Sequence, residues 1–173
     1  SAASDVYKRQ GLDLVNDVIP GVMDGNTQVV VLGTGDSWYE EAFRSYENQY
    51  KGSFCAYIAY DENVAHNIYS GCDALLVPSR FEPCGLTQLI AMRYGAIPIV
   101  RETGGLRDTV WPYNMFDNTG NGFTFDRYES GLLYDTINRA KTCYFENRAS
   151  WDDMVIRDMN KDVSWETSAR QYK

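Results

Sequence analysis

Four short, almost wholly apolar segments recur along the chain, and stretches with helical periodicity separate them. Such segments are typical of strands buried on both faces, and their alternation with helices predicts an α/β fold with a doubly wound parallel sheet. Ligands of such sheets bind beyond the carboxyl ends of the strands. The predicted strands are 28–33, 54–59, 74–77 and 97–100, which selects the loops 33–37, 60–63, 78–85 and 101–106 as ligand-binding.

The helices between these strands are predicted from the spacing of their apolar residues. The first starts near Leu12 and is expected to end at Pro20, because proline and glycine interrupt the pattern there. The helix over 37–50 is expected to turn Trp38 inward, and Gly95 is expected to cap a helix that begins at residue 86. Further segments are an extended piece at 122–125 and helices at 63–70, 130–144, 148–159 and 164–172.

Composition narrows the function classes. The formal net charge of -8 argues against a nucleic-acid partner, since binding to a phosphate backbone depends on clustered Lys and Arg. The four cysteines form no CxxC pair and there is a single histidine, so no metal site and no cofactor are expected. Free thiols, no leader and no apolar run of the ~20 residues that cross a bilayer indicate a cytoplasmic protein without a membrane partner.

The first ten residues, SAASDVYKRQ, show neither an apolar period nor a capping signal. An ordinary amphipathic pattern begins only at Gly11. We therefore expect residues 1–10 to be a non-native or disordered start, and residues 11–173 to form one domain.

The segment PSRFEPCGLTQ, residues 78–88, carries the most chemistry, because it leaves a strand and enters a helix. Free N–H groups at a helix start favour an anion, and a glycine permits close approach of the backbone to a ligand. A diphosphate fits there without many basic side chains. Glu82 would repel phosphate, so it is expected to contact sugar hydroxyls or a cationic intermediate. The helix-start residues are Cys84, Gly85, Leu86 and Thr87.

The loop after the fourth strand is the second candidate. Arg101 is expected to balance phosphate charge, and Glu102 to accept hydrogen bonds from ribose or glucose hydroxyls. Gly104 and Gly105 give a second place of close backbone approach.

With both loops in view, residues 77–110, VPSRFEPCGLTQLIAMRYGAIPIVRETGGLRDTV, resemble the C-terminal-domain signature of bacterial glycogen and starch synthases of the ADP-glucose type. The likeness extends from Gly11 to the C-terminal SWETSARQYK. It implies the C-terminal, Rossmann-like half of a GT-B glycosyltransferase. It also implies a retaining enzyme that adds glucose from ADP-glucose, or UDP-glucose in some relatives, to the non-reducing end of an α-1,4-glucan acceptor.

The resemblance also implies residue roles. Glu82 matches the essential carboxylate near the donor glucose, and Tyr60 matches an aromatic residue near the adenine. The four helix-start residues from Cys84 match the surroundings of the diphosphate and sugar. No obligatory metal is implied.

Two departures from the family pattern argue against catalytic turnover by this chain alone. Asp5 and Gln10 stand where the family has an Arg and a Lys that neutralise the diphosphate. We also expect the N-terminal domain, with its acceptor surface, to be missing, so the fragment is expected to be inactive alone. The alternative is therefore a non-catalytic nucleotide-sugar-binding module. A phosphorylase-like protein is disfavoured, because no lysine lies in the ligand loops to hold pyridoxal phosphate.

Overall fold

The computed structural model describes residues 10–82 and 85–161 of the chain. The predicted helix at 164–172, Asp5 and Cys84 therefore lie outside the described residues. Strands and helices alternate along the chain as predicted. The strands are β1 Val29–Leu32, β2 Phe54–Tyr57, β3 Ala74–Val77, β4 Ile97–Arg101 and β5 Phe123–Phe125. The helices are α1 Leu12–Val22, α2 Ser37–Gln49, α3 Glu62–Gly71, α4 Thr87–Tyr94, α5 Gly104–Thr109, α6 Ser130–Glu146 and α7 Arg148–Asn160.

All strand pairs of the described residues are parallel, in two ladders. β1 pairs with β2, and the second ladder has the order β3-β4-β5. The register sets Val77 opposite Val100 and Val100 opposite Thr124. The α/β class and the parallel pairing predicted from the sequence are thus confirmed.

Helices cover both faces of the second ladder, because neighbouring residues of β4 point to opposite sides. Ile99 packs into a core formed with α1, α6 and α7, around Leu133 and Met154. Val100 packs on the other face against Met92 of α4 and Leu106 of α5. These layers hold the loops at the carboxyl ends of β3 and β4 in place.

The first helix continues to Val22, so the prediction that it ends at Pro20 is wrong. Proline lacks an N–H and leaves the carbonyl four residues earlier without its helical partner. Here the Tyr46 hydroxyl donates to that carbonyl, Asn16 O, at 3.2 Å. A partner from α2 thus satisfies the group that Pro20 leaves free.

Two further local predictions differ from the structure. Trp38 is 59% exposed and not inward, because it lies in the first turn of α2, where its ring stands edge-on to Tyr39. The glycine-rich segment that begins at Gly104 forms the short helix α5, where the sequence indicated a loop. The expectation for Gly95 is confirmed, since it caps α4 with a φ of 86°.

None of the described helices is both long and apolar enough to cross a membrane.

Candidate functional site

The loops after β3 and β4 leave the sheet side by side. Val77 and Val100 are paired in register, so the segments that follow them start at the same edge. Both loops then enter helices, α4 and α5. The residues predicted for ligand binding in the two loops are therefore brought to one end of the sheet.

Glu82 occupies the turn between β3 and α4, where it is half-buried. Its Oε1 accepts a hydrogen bond from the backbone N–H of Gly85 at 3.2 Å. Gly85 is buried and has a φ of 60°, in the left-handed region that glycine adopts at little cost. The loop thus folds its carboxylate back toward the start of α4.

A backbone hydrogen bond joins this turn to the second loop. The N–H of Gly105 donates to the carbonyl of Glu82 at 3.1 Å. Glu82 therefore contacts both glycine-bearing segments, through its side chain on one side and its backbone on the other. The contact combines one carboxylate with close-approach backbone on two loops, an arrangement suited to a ligand that carries both hydroxyl and phosphate groups.

Arg101, the last residue of β4, lies against the same turn. Its Nε donates to Ser79 O at 2.9 Å, a second nitrogen donates to Asp126 O at 3.2 Å, and a third donates to Arg80 O. The guanidinium thus holds the β3–α4 loop through backbone carbonyls. Its predicted contact with phosphate stays a prediction.

Comparisons with known proteins identify the family of the chain. The profile of the family described as glycosyl transferases group 1 matches residues 3–155. The chain belongs to this family.

Several relatives of the chain carry a more specific name. The chain is 47% identical over 170 residues to the glycogen synthase of Lachnoclostridium phytofermentans. This match covers 98% of the chain and 36% of that relative. The chain is 46% identical over 169 residues to the soluble starch synthase 1 of Solanum tuberosum, covering 95% of the chain and 26% of that relative. The chain thus spans about a third of the length of the glycogen synthases that it matches.

The chain is also similar to a solved structure of a starch synthase. The catalytic domain of starch synthase IV from Arabidopsis thaliana, bound to ADP and acarbose, superposes with a TM-score of 0.84 at 36% identity. The match covers 95% of this chain and 35% of that one.

The structure places the other predicted residues at the starts of α4 and α5 and in the segments that follow β4 and β2. Leu86 and Thr87 are exposed at the start of α4, and Gly104 is the exposed first residue of α5. Glu102 is half-buried, and its Oε1 accepts a hydrogen bond from Thr124 Oγ1 at 2.7 Å. Tyr60, after β2, is 92% exposed.

Tyr128 and Asp13 also contribute to the support of the β3–α4 loop, through Arg80. No local motif in the sequence indicated these residues. The hydroxyl of Tyr128 donates to Asp13 Oδ1 at 2.5 Å, which ties the segment after β5 to α1. The guanidinium carbon of Arg80 lies 4.3 Å from the centre of the Tyr128 ring. Burial, together with the bond to Asp13, raises the pKa of Tyr128 to about 12, so this hydroxyl keeps its proton at any ordinary pH.

A small pocket lies at the end of β1, beside the turn Gly33-Thr34-Gly35. Gln10, Leu12, Tyr39 and Ile58 are among the residues that line it. The family has an Arg and a Lys at positions 5 and 10, and of these two positions the structure describes only position 10. A cation at position 10 would therefore face the ligand edge of the sheet.

Proposed function

We propose that this chain is the donor-binding part of a retaining glucosyltransferase that transfers glucose from ADP-glucose to the non-reducing end of an α-1,4-glucan. The observation that carries the proposal is the position of Glu82 between the two glycine-bearing loops. Its carboxylate is bonded to Gly85 N at 3.2 Å, and its carbonyl to Gly105 N at 3.1 Å.

Glucosyl transfer separates charge between the sugar and the diphosphate. In glucosyl transfer the sugar develops positive charge as the diphosphate leaves with negative charge. A carboxylate placed toward the sugar stabilises the first, and N–H groups at a helix start stabilise the second. Glu82 and the start of α4 bring these two kinds of group into one turn.

The relatives supply the donor and acceptor in this proposal. The names glycogen synthase and starch synthase indicate a glucan product. The Arabidopsis thaliana structure is bound to ADP and acarbose, and the match to it covers 95% of this chain and 35% of that one. ADP-glucose is therefore the donor we infer. The second lobe and the acceptor surface would be supplied by sequence outside this chain.

A non-catalytic sugar-nucleotide-binding module is the second candidate. The observation that favours it is the residue at position 10, where an uncharged Gln lines the pocket beside Gly33–Gly35. Without the two cations, each charge-assisted contact of ~1.5–3 kcal/mol to the leaving diphosphate is lost.

One experiment separates the two candidates. The segment of the Lachnoclostridium phytofermentans glycogen synthase that matches this chain is replaced by it, with and without Asp5→Arg/Gln10→Lys. Incorporation of labelled glucose from ADP-glucose into glycogen is measured beside ADP affinity. We expect the chimera with the two substitutions to transfer glucose, and Glu82→Gln to lower that rate by roughly a hundredfold or more.

The control places the same charges elsewhere, through Asp135→Arg/Gln49→Lys, on exposed positions of α6 and α2. This control should give no gain in transfer. A folded chimera that binds ADP but transfers no glucose with either sequence would favour the binding module. If neither chimera binds ADP, both candidates are wrong.

A further inference from the structure

Gln88 is a fully buried polar side chain in the first turn of α4, with 0% of its surface exposed. Its Nε2 donates to Gly85 O in its own loop, and to Thr109 Oγ1 at 2.9 Å, at the end of α5. A carbonyl oxygen only accepts, so the bond to Gly85 fixes which end of the amide faces the two partners. Its Oε1 is buried without a hydrogen-bond partner among residues 10–82 and 85–161, so the two bonds that Nε2 donates decide the position of the side chain.

The two bonds close a ring that runs through both ligand loops. Thr109 Oγ1 donates onward to Gly105 O at 2.7 Å, and Gly105 N donates to Glu82 O at 3.1 Å. The ring closes where Gly85 N donates to Glu82 Oε1 at 3.2 Å. Three of its five members are residues predicted to contact the donor, and Gln88 supplies the only side chain that spans from α4 to α5 within it.

The backbone at Gly85 is shaped around the same amide. A Cβ at this position would lie 2.6 Å from Gln88 Nε2 and 3.0 Å from its Oε1. The left-handed turn at Gly85 and the buried amide therefore occupy space that only a glycine leaves open. This packing leaves Gln88 no room to reach a ligand itself.

We propose that Gln88 is a positioning residue, which locks the Glu82 loop to the Gly105 loop and so holds the sugar-nucleotide site in one arrangement. The proposal rests on the proposed function for the identity of the ligand, and on the hydrogen-bond ring for the coupling. It predicts that a change at Thr109, in α5, disturbs the backbone of Gly85, in the loop before α4.

The coupling is measured by amide hydrogen exchange of the ¹⁵N-labelled chain. Gln88→Met keeps the length of the side chain but cannot donate, and Thr109→Val removes the hydroxyl. We expect each to speed the exchange of both the Gly85 and Gly105 amides roughly tenfold, since a lost buried bond leaves a partner unsatisfied. In the Asp5→Arg/Gln10→Lys background, each should weaken ADP binding by roughly tenfold, and the double variant should do little more.

Thr136→Val is the matched control. Thr136 is buried where Thr109 is half-buried, and its Oγ1 donates to Leu132 O, four residues earlier, at 2.7 Å, as Thr109 does to Gly105. It should lower the melting temperature without altering either glycine amide or ADP affinity.

The proposal is overturned if Thr109→Val leaves the Gly85 amide unchanged, or if Thr136→Val loosens the two amides equally. It is also overturned if both amides loosen while ADP affinity stays the same. An Asp5→Arg/Gln10→Lys chain that binds no ADP would contradict the proposed function, and the exchange data would still decide whether Gln88 couples the two segments.

Discussion

The two ladders hold the loops that follow their strands in different ways. After β3 and β4, the loops bond to each other, through Gly105 N to Glu82 O and through the amide of Gln88. After β2, Tyr60 is 92% exposed, and the nearby capping bond, from Val64 N to Asp61 at 3.1 Å, stays within its own loop and helix. The β3–β4 side is therefore cross-linked, and the β2 side is open.

The difference indicates a division of labour in the site. Groups that stabilise developing charge work best when they are already oriented, because reorientation during the reaction costs free energy. A flat base needs only a surface on which to stack, so an exposed aromatic side chain suffices. We therefore expect the cross-linked side to bind the diphosphate and sugar, and the open side to bind the base. The two sides then respond differently to substitution.

The largest effect is expected at Gly85. In Gly85→Ala the new Cβ meets Gln88 Nε2 at 2.6 Å and the residue is held at a φ of 60°, which strains an alanine by about 1–2 kcal/mol. In the Asp5→Arg/Gln10→Lys background, calorimetry should show that binding of both ADP and pyrophosphate weakens by roughly a hundredfold.

Gly131→Ala is the control for this substitution. Gly131 lies in α6, and a Cβ there would meet nothing within 4 Å. Ligand affinity should stay unchanged, and stability should rise slightly, since alanine is the better helix former. Equal affinity for pyrophosphate in Gly85→Ala and the parent chain would show that the cross-linked side does not bind the diphosphate.

The sequence predicted the elements of this site better than their connections. Apolar runs and glycine positions located β3, β4 and the cap at Gly95, because burial and backbone conformation act locally. The bonds from Arg101 to Ser79 O and from Gln88 to Thr109 depend on which loops become neighbours, and no local pattern carries that information. The helix end predicted at Pro20 is wrong for the same reason, since the helix continues with a hydrogen bond from Tyr46 of α2.

The next largest effect is expected on the free energy of unfolding, through a buried carboxylate of α7. Asp158 of α7 is 2% exposed, and neither carboxylate oxygen has a hydrogen-bond partner within residues 10–82 and 85–161. Burial raises its pKa to about 7, against the opposing charges of Lys161 and Arg157. Lys161 donates to Thr109 O at 2.8 Å, so its ammonium group lies at the end of α5.

The sign of the pH dependence follows from that shift. Between the unfolded pKa of about 4 and the folded pKa of about 7, the folded state binds more protons, so rising pH destabilises it. From pH 5 to 8 this group should cost on the order of 2 kcal/mol of unfolding free energy. Urea titrations should show that Asp158→Asn removes this slope.

Asp135→Asn, at an exposed position of α6, should leave the pH slope of the parent chain intact. A slope that persists in Asp158→Asn would place the titrating group elsewhere. If ADP affinity changes with pH over the same range, ionisation of Asp158 affects the ligand site through the contact of Lys161 with Thr109.

The smallest effect is expected on the open side. Because Tyr60 is almost fully exposed, Tyr60→Ala should leave the melting temperature unchanged. In the Asp5→Arg/Gln10→Lys background it should weaken ADP binding by roughly tenfold, the usual scale for one aromatic–base stack, and leave pyrophosphate binding unchanged. Tyr60→Phe keeps the ring and should bind ADP as the parent chain does. A loss of pyrophosphate affinity in Tyr60→Ala would show that the two sides are coupled and that the division of labour is wrong.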